Sequence, residues 1–371
     1  MNQIIMILTN GFDPDVRVYK EGKYLINKGF QVTILCWDRD LSKNHPESEK
    51  VDGIHIVRFP IASVYGTGIK QIPAFFKYIK CCKQYIQDNP CDYLHCNDID
   101  GALVGYIVGR RKAKIVFDMH EFYEKGNSLW RWLIRKLTIF LIKQSIAALY
   151  ENNIYLDESY FSIRKKLYPL RNYPDSKMIS AVPKSKSNQF RIGYHGVVRD
   201  QILEFTALFE AVKDMDDVRV DINGGGMDLS QLLELQKKYK NVYVNGPYDG
   251  IKESTKLYAK TDLLFCEYNP YDPNYHGDAE VIKFYEAIFT GTPLLITKNI
   301  GMSSKVEKNG FGLACNTRDS ADIKKAIEKI KSNASFWEDC HKNELAYASD
   351  YSWEKAVTIL DKIYQYERVL K

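Results

Sequence analysis

The stretch KIVFDMHEFYE, Lys114 to Glu124, is an apolar strand-like run that ends by presenting Asp118, His120 and Glu121 within four positions. Carboxylates and an imidazole at the carboxyl end of a strand stand where open parallel sheets meet their ligands, and they can bind hydroxyls or move protons there. HCNDIDG repeats the arrangement, with His95, Asn97 and Asp98 just beyond the preceding apolar run. A lone histidine is more often structural, but two polar clusters at adjacent strand ends favour a site, with His120 as the substrate contact. A third group lies in DAEVIKFYEAIFTGTPLLIT, where Lys283 and Glu286 are three apart and share one helix face. A lysine beside helix-start N–H groups can neutralise a diphosphate, and a carboxylate can accept both hydrogen bonds of a ribose diol. The plain alternative is a surface ion pair worth a few tenths of a kcal/mol.

Near the amino terminus, TNGFDPDVRVYKEG places Gly11 after the first strand and Asp15 before a helix, so that backbone N–H groups can meet an anion or a sugar hydroxyl. An ordinary helix-start acid explains Asp15 equally well. The stretch is not a G-x-G-x-x-G fingerprint, which weighs against a nicotinamide cofactor. D-x-D pairs occur at Asp13, Asp38 and Asp98. Such a pair can hold a divalent metal on a nucleotide, but so short a pattern in an acid-containing chain reads as coincidence.

The elements that must position these groups alternate along the chain. IIMILTN, QVTILCW, IHIVRFP, DYLHCN and KIVFDMH read as strands, with helix-spaced segments such as Val16 to Lys28 and Ile69 to Gln87 between them. From Tyr168 to Gln189 the periodicity gives way to proline, serine and lysine. It restarts with FRIGYHG, VRVDING, NVYVNG, DLLFCEY and PLLITKN, separated by helices such as Ile202 to Lys213 and Glu280 to Thr290. The fold class expected is α/β, two Rossmann-like doubly wound domains facing a central cleft. Their spans are 1–170, a linker at 171–190, and 191–350. The segment 351–371 is expected as a helix able to cross back to the first domain.

The 371 residues, with 45% apolar, suffice for two cores. A net charge of +5 compels no nucleic-acid partner. The eight cysteines lack paired zinc-ligand spacing and read as reduced thiols of a cytoplasmic protein. MNQIIMILTNGF reads as a first strand rather than a signal peptide, and no run reaches the roughly 18 apolar residues of a spanning helix.

In chain order, D-x-R-V-x-K-E at Asp15 to Glu21, HCND at His95, FDMHE at Phe117, RNYPD at Arg171, IGYHG at Ile192 and KFYEAIFTGTPLL at Lys283 resemble glycosyltransferase family 4. The resemblance implies the GT-B fold and transfer of a sugar from a nucleoside diphosphate-sugar, UDP or GDP, with retention at the anomeric carbon. No metal or other cofactor is implied. It places the donor in the second domain, on Gly196, Arg199, Asn245, Gly246, Tyr248, Asp278, Glu280, Lys283 and Glu286, with Glu286 on the ribose and Lys283 on the diphosphate. The acidic position seven or so residues before Glu286 falls to Asp278 or Glu280. The acceptor is implied in the first domain, on Gly11, Asp15, Arg17, Asn97, Asp98 and Glu121, with His120 facing the donor sugar. Arg199 is not followed by the lysine that usually completes the diphosphate grip in the family, which leaves more of the neutralisation to Lys283.

NSLWRWLIRKLTIFLIKQ, Asn127 to Gln144, carries Trp130, Trp132, Leu133, Leu137, Phe140 and Leu141 among Arg131, Arg135, Lys136 and Lys143. Such a helix can lie at a membrane surface, or form a core helix with a basic edge. The first reading suits a glycan or polyprenyl-linked acceptor at the inner face of the cell membrane, in bacterial polysaccharide synthesis. A sugar nucleotide epimerase of the same architecture and a non-catalytic GT-B subunit are the rival readings.

Overall fold

The computed structural model describes residues 3–13, 15–64, 67–124, 127–151, 153–181, 183–271, 275 and 281–364. The chain forms two compact units, Met1–Arg171 with Lys355–Lys371, and Asn172–Glu354.

Eight strands make the sheet of the first unit: β1 Gln3–Leu8, β2 Gln31–Asp38, β3 Ser48–Val51, β4 Ile54–Pro60, β5 Tyr93–Asn97, β6 Lys114–Met119, β7 Ala147–Tyr150 and β8 Leu167–Pro169. Their order is β3-β4-β2-β1-β5-β6-β7-β8, parallel except for the antiparallel edge pair β3–β4. β1, β5 and β6 are buried almost end to end, as strands covered on both faces must be. The strand order reverses between β1 and β5, so the loop from Thr9 and the Asn97–Asp98 corner leave the sheet at its switch point.

The second unit has six parallel strands: β9 Phe190–His195, β10 Val218–Asn223, β11 Val242–Gly246, β12 Leu263–Cys266, β13 Leu294–Thr297 and β14 Gly312–Cys315. In the order β11-β10-β9-β12-β13-β14, the switch point falls between β9 and β12. Gly196 and Glu267 leave the sheet there.

Two features differ from the sequence reading. The stretch expected as a linker is tied into the second unit: Ser185 N–H donates to Ala259 O at 2.8 Å, and Lys184 Nζ donates to Tyr258 O and Thr292 Oγ1 at 3.0 and 2.5 Å. The closing segment, described as far as Tyr364, there holds two short helices, Trp353–Ala356 and Ile359–Ile363. From Lys355 to Tyr364 it packs within the first unit, where Tyr364 is buried beside Phe30, Tyr93 and His95. The helix Ser128–Gln144 is capped by Asn127 accepting from Trp130 N–H. Its carboxyl half packs Leu141 and Ile142 into the first unit's core, with Leu137 and Ile139 against it, while Leu129, Trp130 and Trp132 in its amino half are 67, 54 and 54% exposed.

Candidate functional site

In the first unit, β6 delivers Asp118 into a fully buried ionic cluster. Arg17, on the helix Val16–Asn27, donates to both its carboxylate oxygens, Nε at 3.0 Å and Nη2 at 2.6 Å. The same guanidinium lies 3.2 Å from Glu21, one turn on, and donates to Leu170 O at 3.1 Å. His95 stands between Glu21, 3.0 Å from Nε2, and Tyr364, whose hydroxyl is 2.6 Å from Nδ1. Arg17 is therefore part of the frame rather than an exposed acceptor contact, being 4% exposed with its donors consumed inside the unit. Asn97, also expected to meet the acceptor, is 1% exposed and donates to Ile7 O. Glu21, His95 and Asp118 are ligand types close enough together for a metal. Here Arg17 supplies the positive charge that such carboxylates need.

His120 is the reachable member of this cluster. Its Nε2 is 2.9 Å from Asp118 and its Nδ1 3.7 Å from Asp98, which also accepts the Tyr123 hydroxyl at 2.7 Å. Burial opposes a charged ring, but the two carboxylates outweigh it and raise the His120 pKa to about 10. Asp118 is held well below the usual carboxylate range: burial works against its charge, and Arg17 and His120 overcome it. At neutral pH His120 is thus an imidazolium, a donor and positive charge rather than a general base. Asp98 adopts a left-handed backbone, φ 60°, at the corner between β5 and its helix, a strain of the kind that collects at functional sites. Glu121 is exposed beside this corner, and its carbonyl accepts from Tyr155.

Gly11 and Asp15 line a separate pocket of about 690 Å³ with Asp13, Trp37, Asp38, Arg39, Lys43 and His45. Asp15 also caps its helix, accepting from Val18 N–H at 3.2 Å, as an ordinary helix-start acid does. Sequence reasoning did not place the ends of β2 and β4 beside this loop, although the DRD segment after QVTILCW was a signal for it.

In the second unit, the helix Ile282–Thr290 directs Lys283 inward, 6% exposed, with Nζ 3.9 Å from the Tyr194 ring centre and 4.8 Å from that of Tyr268. A solvated surface pair with Glu286 is excluded by that burial. Glu286 instead accepts the Tyr258 hydroxyl at 2.9 Å. Lys283 makes no ion pair among the described residues, and its ammonium lies under the Gly196 turn, where a Cβ would come within 3.4 Å of Nζ. A Cβ on Gly224 would meet Gly196 O at 1.7 Å, so the loops after β9 and β10 touch backbone to backbone. The NGGG run at Asn223–Gly226 was the unread signal for this contact.

Glu267, absent from the sequence reading, is 1% exposed at the end of β12. Burial, and then Glu204, pushes its carboxyl up to about 8. Asn245 and Gly246 close β11, with Tyr248 next to the His195 ring, 6.4 Å between centres. Arg199 is exposed, and among the described residues only its backbone N–H is engaged, with Gln201. Asp278 and Glu280 lie outside the described residues.

Residues 15–149 match the family model for Glycosyltransferase Family 4. Over that segment the chain is similar to glycosyltransferase family 4. Solved structures agree on the fold along the full length. Sucrose-phosphate synthase from Thermosynechococcus elongatus superposes with a TM-score of 0.74 at 15% identity, covering 98% of each chain. Anabaena HepE in complex with UDP and glucose gives 0.69 at 14% identity over 97% of this chain and 98% of that one. A glycosyltransferase from Rickettsia africae gives 0.69 at 14% identity, covering 98% of both. No curated protein sequence matches the chain. The chain has the GT-B fold, and its family 4-like segment supports a transferase.

Proposed function

We propose that the protein is a retaining glycosyltransferase that moves a sugar from a UDP- or GDP-sugar to a glycan or polyprenyl-linked acceptor in bacterial cell-surface polysaccharide synthesis. The observation that carries the donor assignment is Lys283: a buried ammonium caged by two aromatic faces and without an ion pair among the described residues. A buried cation is costly unless an anion joins it, and a diphosphate is the anion that a nucleotide-sugar brings. Anabaena HepE has been captured with UDP-glucose, which supports a donor of this class for the same fold.

Departure of a nucleoside diphosphate concentrates negative charge on phosphate oxygens. Lys283 and the N–H groups opening its nine-residue helix, Ile282–Thr290, stabilise that charge, and Glu286 takes the ribose. In a front-face reaction the leaving phosphate accepts the acceptor's hydroxyl proton, so His120, already an imidazolium, serves as a hydrogen-bond donor to the sugar. Gly11, Asp15, Asp98 and Glu121 are the acceptor contacts in this reading.

The exposed Leu129, Trp130, Trp132 and Leu133, with Arg131 and Lys136 between and beside them, fit an anionic membrane surface, where a lipid-linked acceptor would be met. Among the described residues no helix is long and apolar enough to cross a membrane.

Labelled UDP- and GDP-sugars incubated with the protein and a bacterial lipid extract test the reading. Label passing from nucleotide to lipid or glycan, with the anomeric configuration kept, is expected. An altered sugar still attached to the nucleotide would instead make the protein an epimerase.

A further inference from the structure

A chain of hydrogen bonds runs under the second unit's sheet face, and its direction is fixed from both ends. Thr261 Oγ1 donates to Leu257 O at 2.9 Å, and a carbonyl can only accept. The hydroxyl's lone pair must then take a proton from His195 Nε2, 2.9 Å away, which leaves Nδ1 of the neutral ring without one. Asn223 Nδ2, at 3.2 Å, therefore donates to Nδ1, and Asn223 Oδ1 accepts from Asn245 Nδ2 at 3.0 Å. At the other end stands Asp221, a carboxylate that can only accept, 3.3 Å from the same Asn245 Nδ2. Arg219 grips Asp221 with two bonds, 2.7 and 2.8 Å. Reversing any amide in the chain would set two acceptors or two donors face to face.

His195, Asn223 and Thr261 are 2, 5 and 2% exposed, so the pattern is insulated from water as far as Asn245, whose own side chain is exposed. Both N–H groups of Asn245 are spent on Asn223 and Asp221. Its Oδ1 has no partner among the described residues, and the side chain lines a pocket of about 600 Å³. The relay is also joined to Glu286: the His195 ring packs on Tyr258, 4.9 Å between centres, and the Tyr258 hydroxyl donates to Glu286.

We propose that Asn245 is a specificity-determining residue of the donor site, where its fixed carbonyl oxygen accepts a hydrogen bond from a ring N–H of the base, uracil N3–H or guanine N1–H. His195 and Asn223 are positioning residues that hold this polarity. The assignment rests on the donor reading above and deepens it from a nucleotide to one edge of its base. An asparagine free to rotate would tolerate either a donor or an acceptor at that edge; this one accepts only.

The test is a calorimetric cycle. UDP, 3-methyl-UDP, GDP and 1-methyl-GDP are titrated into the wild-type protein and into Asn245→Ala. For the nucleotide that binds, methylation weakens wild-type binding about fivefold or more, the worth of a hydrogen bond with a buried network behind it, and costs little in Asn245→Ala. Equal losses in both proteins, or none in the wild type, overturn the proposal while leaving the donor site in place. Binding of neither parent nucleotide overturns the donor reading and the proposal with it. Nitrogen-15 NMR of the His195 ring reads the relay without ligand: a proton on Nε2 and none on Nδ1 is expected, and the opposite tautomer contradicts the assigned direction.

Discussion

Arg17 and Asp118 face each other through two parallel hydrogen bonds, 3.0 and 2.6 Å, at positions 4 and 0% exposed. They join the first helix to the sixth strand beneath His120. Removing one partner strands the other as a buried charge. Arg17→Met is expected to destabilise the protein by about 3–5 kcal/mol. Urea unfolding of Arg17→Met and Asp118→Asn checks this; a loss under about 1 kcal/mol in both would show that the pair is not the frame of the site.

Against burial and the nearby Arg17, Asp98 and Asp118 together set the charge of His120. Its pKa, raised to about 10, lies above the unfolded value of about 6.5. The stability it contributes is therefore fully present below about pH 6.5 and lost as the pH rises through about 10. Proton NMR should show the His120 ring still charged at pH 8, and Asp98→Asn should lower its titration midpoint. His195 has the opposite sign: burial, reinforced by Lys283, lowers it to about 3. Acidification from about pH 6.5 toward 3 therefore weakens the second unit, because only the unfolded chain takes up that proton.

The exposed apolar stripe on Ser128–Gln144 makes a separate prediction. Vesicles rich in anionic lipid should float with the wild-type protein at low salt and lose most of it when Trp130 and Trp132 are replaced by Ser. Both side chains are more than half exposed, so the melting temperature should hardly change. Equal flotation of the double variant would detach this helix from any membrane role.

Much of the architecture was legible because parallel strands buried on both faces read as short apolar runs, as in Ile4–Leu8, Val32–Trp37 and Leu294–Thr297. The elements left unread are those without such a run. β3 is the polar edge segment SEKV, and β7, β8 and β14 are three or four residues long and draw their identity from neighbours already in place. In the candidate site, Lys283 and Glu286 were legible from helix spacing, and His120 from its strand end. Spacing does not reveal depth, however, and Arg17 and Asn97 turned out to be interior supports. Glu267 follows an apolar strand as an isolated acid, and only the fold brings it to a switch point beside Lys283. The His195–Asn245 relay joins three strand ends and a helix far apart in the chain, so no local pattern announces it.

The proposed function requires the second unit to bind a nucleoside diphosphate on Lys283 and Glu286. Thermal unfolding with UDP and with GDP tests it most directly. A ligand at about 100 times its dissociation constant adds roughly 2.7 kcal/mol to the native state, which for a chain of this size moves the midpoint by about 5 °C or less. One diphosphate should raise the midpoint of the wild-type protein, and Lys283→Ala and Glu286→Ala should each remove most of that rise. A rise that persists unchanged in both variants, or no rise with either nucleotide, would contradict the account.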